Sequence, residues 1–322
     1  MIITVTPNPA IDRTLEVSAL RLGEVNRSAS RQVEPSGKGV NVTRALLRNG
    51  IRSTAVLPLG GPEGSQLAGL LDDEDVPYVA LPITGPVRVN ISVRSPGGIV
   101  TKINEPGPTL TWADAETLAD GVLGVVGRGD WVVGSGALPG GVAADFYAEL
   151  VTRVRQAGAR FALDSSGEAL RRGLEAWPDL VKPNRDELAE LVGTPLRTLG
   201  EVIAAAETVR ERAGGVVLVS LGTDGGVLVD GDGPVLHAEL AVGTVRSSVG
   251  AGDNFLAGYL STAAQARVDR RDSAGRAGAL REAVAWGSVA VRSEGSLGRR
   301  VGDADRRSVR MHTAPDPDRR LS

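Results

Sequence analysis

Residues 246–260, Arg-Ser-Ser-Val-Gly-Ala-Gly-Asp-Asn-Phe-Leu-Ala-Gly-Tyr-Leu, put one carboxylate directly after a turn of small residues. Beyond Asp253 the apolar residues Phe255, Leu256, Tyr259, Leu260, Ala263 and Ala264 recur at helical spacing, so the stretch predicts a buried helix whose first turn begins near Gly252. The unpaired amides of that turn, from Gly250, Ala251 and Gly252, join the positive end of the helix dipole to make an anion hole, and the missing side chains let phosphate oxygens come close. A carboxylate beside a bound phosphate can orient an attacking hydroxyl and accept its proton, which is the chemistry of phosphoryl transfer. The plain alternative is a helix-cap acid behind an ordinary glycine turn, because short Gly-rich motifs often recur without function.

Three further clusters fall where a parallel sheet would present ligands. Asp12 follows the first strand after Thr6-Pro7-Asn8-Pro9, a rigid exit from the sheet. Ser36-Gly37-Lys38-Gly39-Val40-Asn41 then opens an apolar helix ending at Gly50, a second helix N-terminus with a lysine among glycines. It is not a P-loop, since Gly39 stands where that motif needs Ser or Thr and Gln32 where it needs its first glycine. A solvated loop lysine is the simple reading of Lys38. In Leu180-Val181-Lys182-Pro183-Asn184-Arg185-Asp186-Glu187 the proline ends a strand, and Asn184 and Glu187, three apart, share a face of the following helix. One amide oxygen and one carboxylate suit magnesium, which keeps most of its waters; a capping box explains the same spacing. Last, Val219-Ser220-Leu221-Gly222-Thr223-Asp224-Gly225-Gly226 is a glycine turn between β-rich runs, either a hairpin turn or the backbone wall of a nucleotide site.

The body that carries these clusters has 322 residues, 42% of them hydrophobic but only 3% aromatic, so Ala, Val, Leu and Gly must fill its core. That favours helices lying close on a parallel sheet. A net charge of −3 gives no global basic field to recruit nucleic acid or anionic membrane. Cysteine is absent, which excludes disulfides, thiolate metal sites and cysteine nucleophiles. No basic n-region opens the chain and no uninterrupted apolar run is long enough to span a bilayer, which leads to the expectation of an unprocessed cytoplasmic protein.

Strands are predicted at 54–59, 130–134, 160–164, 179–182 and 216–221, and helices near 63–75, 112–127, 142–157, 199–213, 251–266 and 276–292. This alternation is the βαβ signature of a mainly parallel sheet covered on both faces. Two stretches, 11–35 and 86–104, read as strands and a hairpin without helices. They predict a small separate β-sheet folding over the edge as a lid, possible as a contact for a second subunit. The expected division is an α/β core of 1–10, 36–85 and 105–310, the lid, and a disordered tail of 311–322 rich in Asp, Arg and Pro.

Taken in order, Thr-Pro-Asn-Pro-Ala-Ile-Asp near the start, Gly-Lys-Gly-Val-Asn, Gly-Ala-Leu-Pro-Gly-Gly at 136–141, Leu-Asp-Ser-Ser-Gly-Glu-Ala-Leu at 163–170, Val-Lys-Pro-Asn-Arg-Asp-Glu-Leu and Ser-Val-Gly-Ala-Gly-Asp resemble the ribokinase-like, or PfkB, carbohydrate kinases up to about residue 297. The resemblance implies a three-layer α/β/α fold with a β-sheet lid, with ATP and magnesium as cofactors. It implies Asp253 as the catalytic base and Gly250, Ala251 and Gly252 as the anion hole. Asn184 and Glu187 would organise magnesium through water, and Lys182 would approach the nucleotide phosphates. Ser220, Gly222, Thr223 and Gly225 match the ATP loop, with adenine expected between that loop and residues 287–293. Asp12, Gly37, Lys38 and Asn41 match sugar-binding positions, while Arg27, Arg88 and Asn90 would reach in from the lid. A homodimer through the lid is the implied assembly.

Cations at Lys38, Arg88 and Arg27 imply an acceptor that already carries a phosphate. The Gly-Lys-Gly version and the stretch Thr101-Lys102-Ile103-Asn104-Glu105-Pro106-Gly107 look most like the members acting on fructose 1-phosphate. The expectation is transfer of the ATP γ-phosphate to its 6-hydroxyl, with tagatose-6-phosphate kinases and the minor 6-phosphofructokinase of the family as competitors. A sugar-phosphate sensor without catalysis would show a damaged motif, and Asp253, Asn184, Glu187 and both glycine turns are intact. Hydride transfer has no Gly-x-Gly-x-x-Gly to support it, and metal hydrolysis would have only His237 and His312 to draw on.

Overall fold

The computed structural model describes all of residues 1–322 except 232, 244, 246, 248, 265–272 and 294. Arg246 and Ser248 of the small-residue turn, and the last two residues of the helix expected at 251–266, lie outside the described residues.

In chain order the first strands are β1 (Ile2–Val5), β2 (Ala10–Glu16), β3 (Ser30–Ser36), β4 (Ser53–Leu59), β5 (Tyr78–Pro82), β6 (Arg88–Ser95) and β7 (Ile99–Ile103). They are followed by β8 (Trp131–Ser135), β9 (Arg160–Asp164), β10 (Leu180–Val181), β11 (Val216–Ser220), β12 (Gly226–Val229), β13 (Leu236–Glu239) and β14 (Arg310–His312). The helices are α1 (Lys38–Arg48), α2 (Gly61–Asp73), α3 (Trp112–Leu123), α4 (Phe146–Gln156) and α5 (Gly167–Glu175). After them come α6 (Arg185–Val192), α7 (Leu199–Ala213), α8 (Ala251–Ala263), α9 (Ser273–Val291) and α10 (Asp303–Ser308).

The main sheet runs β14-β13-β12-β11-β10-β9-β8-β1-β4-β5. From β5 to β11 every pairing is parallel. The three strands beyond β11 are antiparallel. Alternation along each strand feeds two faces. Ile3, Val132 and Leu163 pack with α3, α4, α5 and α7 residues such as Leu118, Leu150, Leu170 and Val202. Ile2, Val133 and Ala162 pack instead with Leu46, Leu256, Leu260 and Leu280 of α1, α8 and α9. The result is the expected three-layer α/β/α body.

The stretches read as helix-free build a separate four-stranded sheet, β3-β2-β6-β7. In it Asp12 stands opposite both Glu34 and Asn90. Helix α4 starts four residues later than the spacing at 142–157 predicts, at Phe146, because Val142 and Phe146 amides are taken by the turn carbonyls of Pro139 and Ala143. The sequence does not predict strand β5 or helix α5: β5 has five residues and is only partly buried, and α5 has nine, several of them charged.

Residues 311–322 are a correction. Instead of a disordered tail they begin in β14, which pairs with β13, and continue across the start of α7. Leu199 N donates to Arg319 O, Gly200 N to Pro317 O, and Leu321 N to Arg197 O, each at 2.9 Å. Backbone pairing and the packing of Leu321 on the core order a segment whose composition is that of a solvated chain. Among the described residues no helix is long and apolar enough to cross a membrane.

Candidate active site

Parallel strands end on one side of their sheet, and here the starts of α1 and α8 meet on that side. Gly250 caps α8 with φ 74°. A Cβ at this position would stand 2.2 Å from Ser296 O, so both the left-handed backbone and the close approach require glycine. Asp253 follows within the first turn, 7% exposed. Its Oδ2 accepts a hydrogen bond of 2.8 Å from Asn41 Nδ2, on α1. The carboxylate is thus engaged by another helix, which the cap-acid reading does not anticipate. Gly37, before α1, has φ 117°, and a Cβ there would lie 2.7 Å from Thr6 Cγ2.

Asp164, which ends the apolar strand β9, joins these groups. Its Oδ1 accepts from Lys38 Nζ at 2.9 Å and lies 3.2 Å from Lys182 Nζ. Lys38 Nζ is also 3.6 Å from Glu187 Oε1. A Cβ on Gly252 would sit 3.7 Å from Lys182 Nζ, which puts that ammonium beside the Gly250–Gly252 turn. Burial opposes ionisation of Asp164, but Lys182 and Lys38 outweigh it and hold the carboxyl below its ordinary value. Burial, with Asp164 as the like-charged neighbour, pushes Asp253 up to about 6, although Lys38, the Asn41 bond and Lys182 pull the other way. For Lys38, burial is more than offset by Asp164, Glu187 and Asp253, and its ammonium titrates above the ordinary range.

The sequence motifs give Asp164 no role, although Leu-Asp-Ser-Ser-Gly contains it. The signal for it is an acid that follows the buried apolar run 161–163 at the carboxyl end of β9. Lys38, expected to face the acceptor's own phosphate, pairs with the Asp164 and Glu187 carboxylates and lines the cavity that also holds Lys182 and Asp253.

The Asn184–Glu187 spacing does form a capping box. Asn184 Oδ1 accepts from Glu187 N, and Glu187 Oε2 accepts from Asn184 N, both at 2.8 Å. Those two oxygens are committed to the helix, leaving Glu187 Oε1 toward Lys38. The donor set therefore fits magnesium through water at one carboxylate oxygen, and not as a direct chelate of both side chains. Among the described residues no group of three or more His, Cys, Asp or Glu is arranged to hold a metal.

Ser220 ends β11, and Gly222–Asp224 make a short 3-10 turn into β12. The turn is a hairpin connection, with Leu221 N bonded to Gly225 O at 2.8 Å. It is also the wall of a cavity of about 660 Å³ lined by Gly222, Thr223 and Gly225, by Gly250, Ala251 and Gly252, and by Gly287 and Ser288 of α9. The hairpin reading holds, and the same turn lines a cavity. Gly225, at φ 85°, would bring a Cβ to 2.0 Å from Ala238 O.

On the lid side, Asp12 Oδ1 accepts from Asn90 Nδ2 at 2.9 Å and Oδ2 from Ser36 Oγ at 2.8 Å. Arg88 donates to the carbonyls of Asn8 and Glu105 at 3.1 and 3.2 Å. Arg27 is exposed on the β2–β3 connection and is not among the residues lining the cavity, whereas Lys102 of β7, to which no role was given, is.

Residues 5–298 match the family model described as pfkB family carbohydrate kinase. The chain is 34% identical to the 1-phosphofructokinase of Bacillus subtilis (strain 168), over 81% of this chain and 85% of that protein. It is 37% identical to the ATP-dependent 6-phosphofructokinase isozyme 2 of Mycobacterium tuberculosis (strain ATCC 25618 / H37Rv), over 80% and 76%. The structure superposes on Escherichia coli phosphofructokinase-2 in complex with fructose-6-phosphate with a TM-score of 0.85 at 30% identity, covering 95% of this chain and 96% of that one. Ordered motifs, fold and similarity converge: the chain belongs to the pfkB family and is an ATP-dependent sugar kinase.

Proposed function

We propose that the protein transfers the γ-phosphoryl group of ATP to the 6-hydroxyl of fructose 1-phosphate, giving fructose 1,6-bisphosphate and ADP. The observation that carries the reading is the buried Asp253 carboxylate at the start of α8, bonded to Asn41 and flanked by Lys182 and the Gly250–Gly252 amides. Asp253 takes the proton of the attacking hydroxyl as the new P–O bond forms and the bond to the ADP oxygen breaks. Its position near the operating pH suits a base that must accept and then release that proton. Backbone amides of Gly250, Ala251 and Gly252, with Lys182, receive charge on the transferring group. Magnesium, held by Glu187 through water, would neutralise phosphate charge. Ser220, Gly222, Thr223 and Gly225 wall the ATP side, and Asp12, Asn90 and Gly37 receive the sugar.

The similarity to the 1-phosphofructokinase of Bacillus subtilis favours fructose 1-phosphate as acceptor. The similarity to the Mycobacterium tuberculosis and Escherichia coli phosphofructokinases supports a second reading, fructose 6-phosphate. A coupled ADP-release assay over fructose 1-phosphate, fructose 6-phosphate, tagatose 6-phosphate and unphosphorylated fructose decides between them, the highest kcat/KM being expected for fructose 1-phosphate. Lys38→Gly sharpens the test. A charge-assisted bond to the acceptor's phosphate is worth about 1.5 to 3 kcal/mol, so kcat/KM for fructose 1-phosphate should fall roughly 10- to 150-fold while fructose is spared. Equal loss with fructose would mean that Lys38 serves the transferred phosphate through the Asp164 cluster, leaving Arg88 and Arg27 to read the acceptor.

We further propose that two copies associate through the lid, whose outer surface exposes Leu22 (92%), Val25 (79%), Ile99 (64%) and Ile103 (58%). In such a dimer Arg27, which is exposed and does not line the cavity of its own chain, would belong to a loop presented to the second copy.

A further inference from the structure

Residues 313–322 lie beyond the family match at 5–298, yet they finish against the nucleotide loop. Asp224, inside the Gly222–Gly225 turn, is the meeting point. Its Oδ2 accepts from Ser322 N at 2.8 Å and from Ser322 Oγ at 2.7 Å. Its Oδ1 accepts from Arg319 Nη2 at 3.3 Å, and the same Nη2 donates to Glu239 Oε2 on β13 at 2.6 Å. The backbone carbonyl of Asp224 lies 2.8 Å from His237 Nε2, so that nitrogen carries the hydrogen. Next to it Thr223 Oγ1 is 2.7 Å from Ser322 Oγ, and Arg185 Nη1 donates to Ser322 O at 2.8 Å.

These contacts differ from ordinary surface pairs. Asp224 is 8% exposed, and its three side-chain hydrogen bonds all come from residues 319–322. Remove them and a buried carboxylate within a glycine turn is left without partners, so the turn must rearrange to hydrate it. Ser322 itself, with Arg185 and Asp186, lines both the cavity of about 660 Å³ and a second one of about 700 Å³ between α6 and residues 193–197. The segment is anchored upstream by the backbone bonds to Arg197, Leu199 and Gly200, and a Cβ on Gly200 would stand 2.9 Å from Pro317. Its end is therefore fixed in place and is not a loose tail that happens to touch the loop.

We infer that residues 316–322 form a strap that sets the shape of the nucleotide loop, with Arg319 and Ser322 as positioning residues for ATP acting through Asp224. The inference rests on the reading that the cavity between this loop and α9 holds the nucleotide. Sugar binding, built from the lid and from α1, is outside its reach.

The full-length protein is titrated with a non-hydrolysable ATP analogue and assayed for the KM of each substrate. Arg319→Ala is expected to weaken nucleotide binding about 3- to 10-fold, the range for one charged contact on a partly exposed side chain, with the sugar-phosphate KM unchanged. Arg319→Lys, which keeps the charge, should recover part of that loss. Asp224→Asn, which keeps the size and an acceptor for Ser322, should reproduce the selective nucleotide defect even if Arg319→Ala folds poorly. Ser288→Trp, which fills the cavity from α9, serves as the control and should abolish nucleotide binding. If it does so while Arg319→Ala and Asp224→Asn leave nucleotide affinity unchanged, or shift both substrates equally, the strap inference is overturned and the pocket assignment stands. If Ser288→Trp binds nucleotide normally, the pocket assignment itself fails and the strap inference with it.

Discussion

In the proposed reaction Asp253 is the residue on which the chemistry turns. Asp253→Asn preserves size and an acceptor for Asn41 but removes the proton acceptor, so kcat should fall about 10²- to 10⁴-fold with ATP binding retained. Retention of more than about a tenth of wild-type turnover would sink the assignment. The same group makes a pH prediction. Its folded pKa, near 6, lies above the ordinary 3.8, so the folded state binds this proton more tightly than the unfolded chain does. The stability it contributes is present below the ordinary value and is lost as pH rises through about 6. Wild-type kcat/KM should accordingly decline on acidification below about pH 6, as the base is protonated. Asn at this position should melt higher than wild type at neutral pH, with the gap closing in acid. A melting difference that does not change with pH would contradict a raised Asp253.

At the scale of elements, helix starts do most of the positioning. Gly250 and Gly37 permit backbone that other residues resist, and the Asn184–Glu187 box fixes the start of α6 so that Glu187 Oε1 is left facing Lys38. Cap and metal roles separate experimentally. Glu187→Gln keeps an oxygen for the Asn184 amide but loses the charge, and should raise the magnesium concentration for half-maximal rate by about 10-fold with little change in melting temperature. Glu187→Ala loses the cap as well, at a further cost of about 1 kcal/mol in stability. Unchanged magnesium dependence in the Gln variant, measured by steady-state titration, would reduce the motif to its capping role. Both readings of this spacing were legible in the chain because a capping box spans only three residues. Which oxygens remained available was not, since that depends on the approach of α1.

For the whole molecule, the lid sheet places an apolar outer surface on an otherwise acidic, well-packed body. If a second copy covers it, light scattering should give twice the chain mass, and Leu22→Asp combined with Ile103→Asp should shift it to the monomer. Wild-type protein that stays monomeric at micromolar concentration would overturn the lid dimer. The two charges lie outside the cavity, so ATP binding by the dissociated chain should persist while acceptor use falls if Arg27 serves the site from its partner.

What the chain determined by itself was whatever short-range pattern can encode. The short apolar runs of β8 and β9, the helical spacing after Asp253, and glycines at 37, 250 and 252 follow from backbone sterics and burial, and they located the parallel sheet and both helix N-termini, while the helix-free stretches located the second, smaller sheet. Tertiary structure decided the rest, because it depends on contacts that no local pattern records. Asn41 meets Asp253 across 212 positions, and Lys38 meets Asp164 across 126, so the raised Asp253 carboxyl and the pairing of Lys38 exist only once α1, α8 and β9 are packed together. The antiparallel edge of the sheet and the order of residues 313–322 arose in the same way. Asp, Arg and Pro in that segment describe a solvated chain, but the backbone of α7 and the buried carboxylate of Asp224 supply partners, and hydrogen bonds to a fixed surface outweigh a composition that favours disorder.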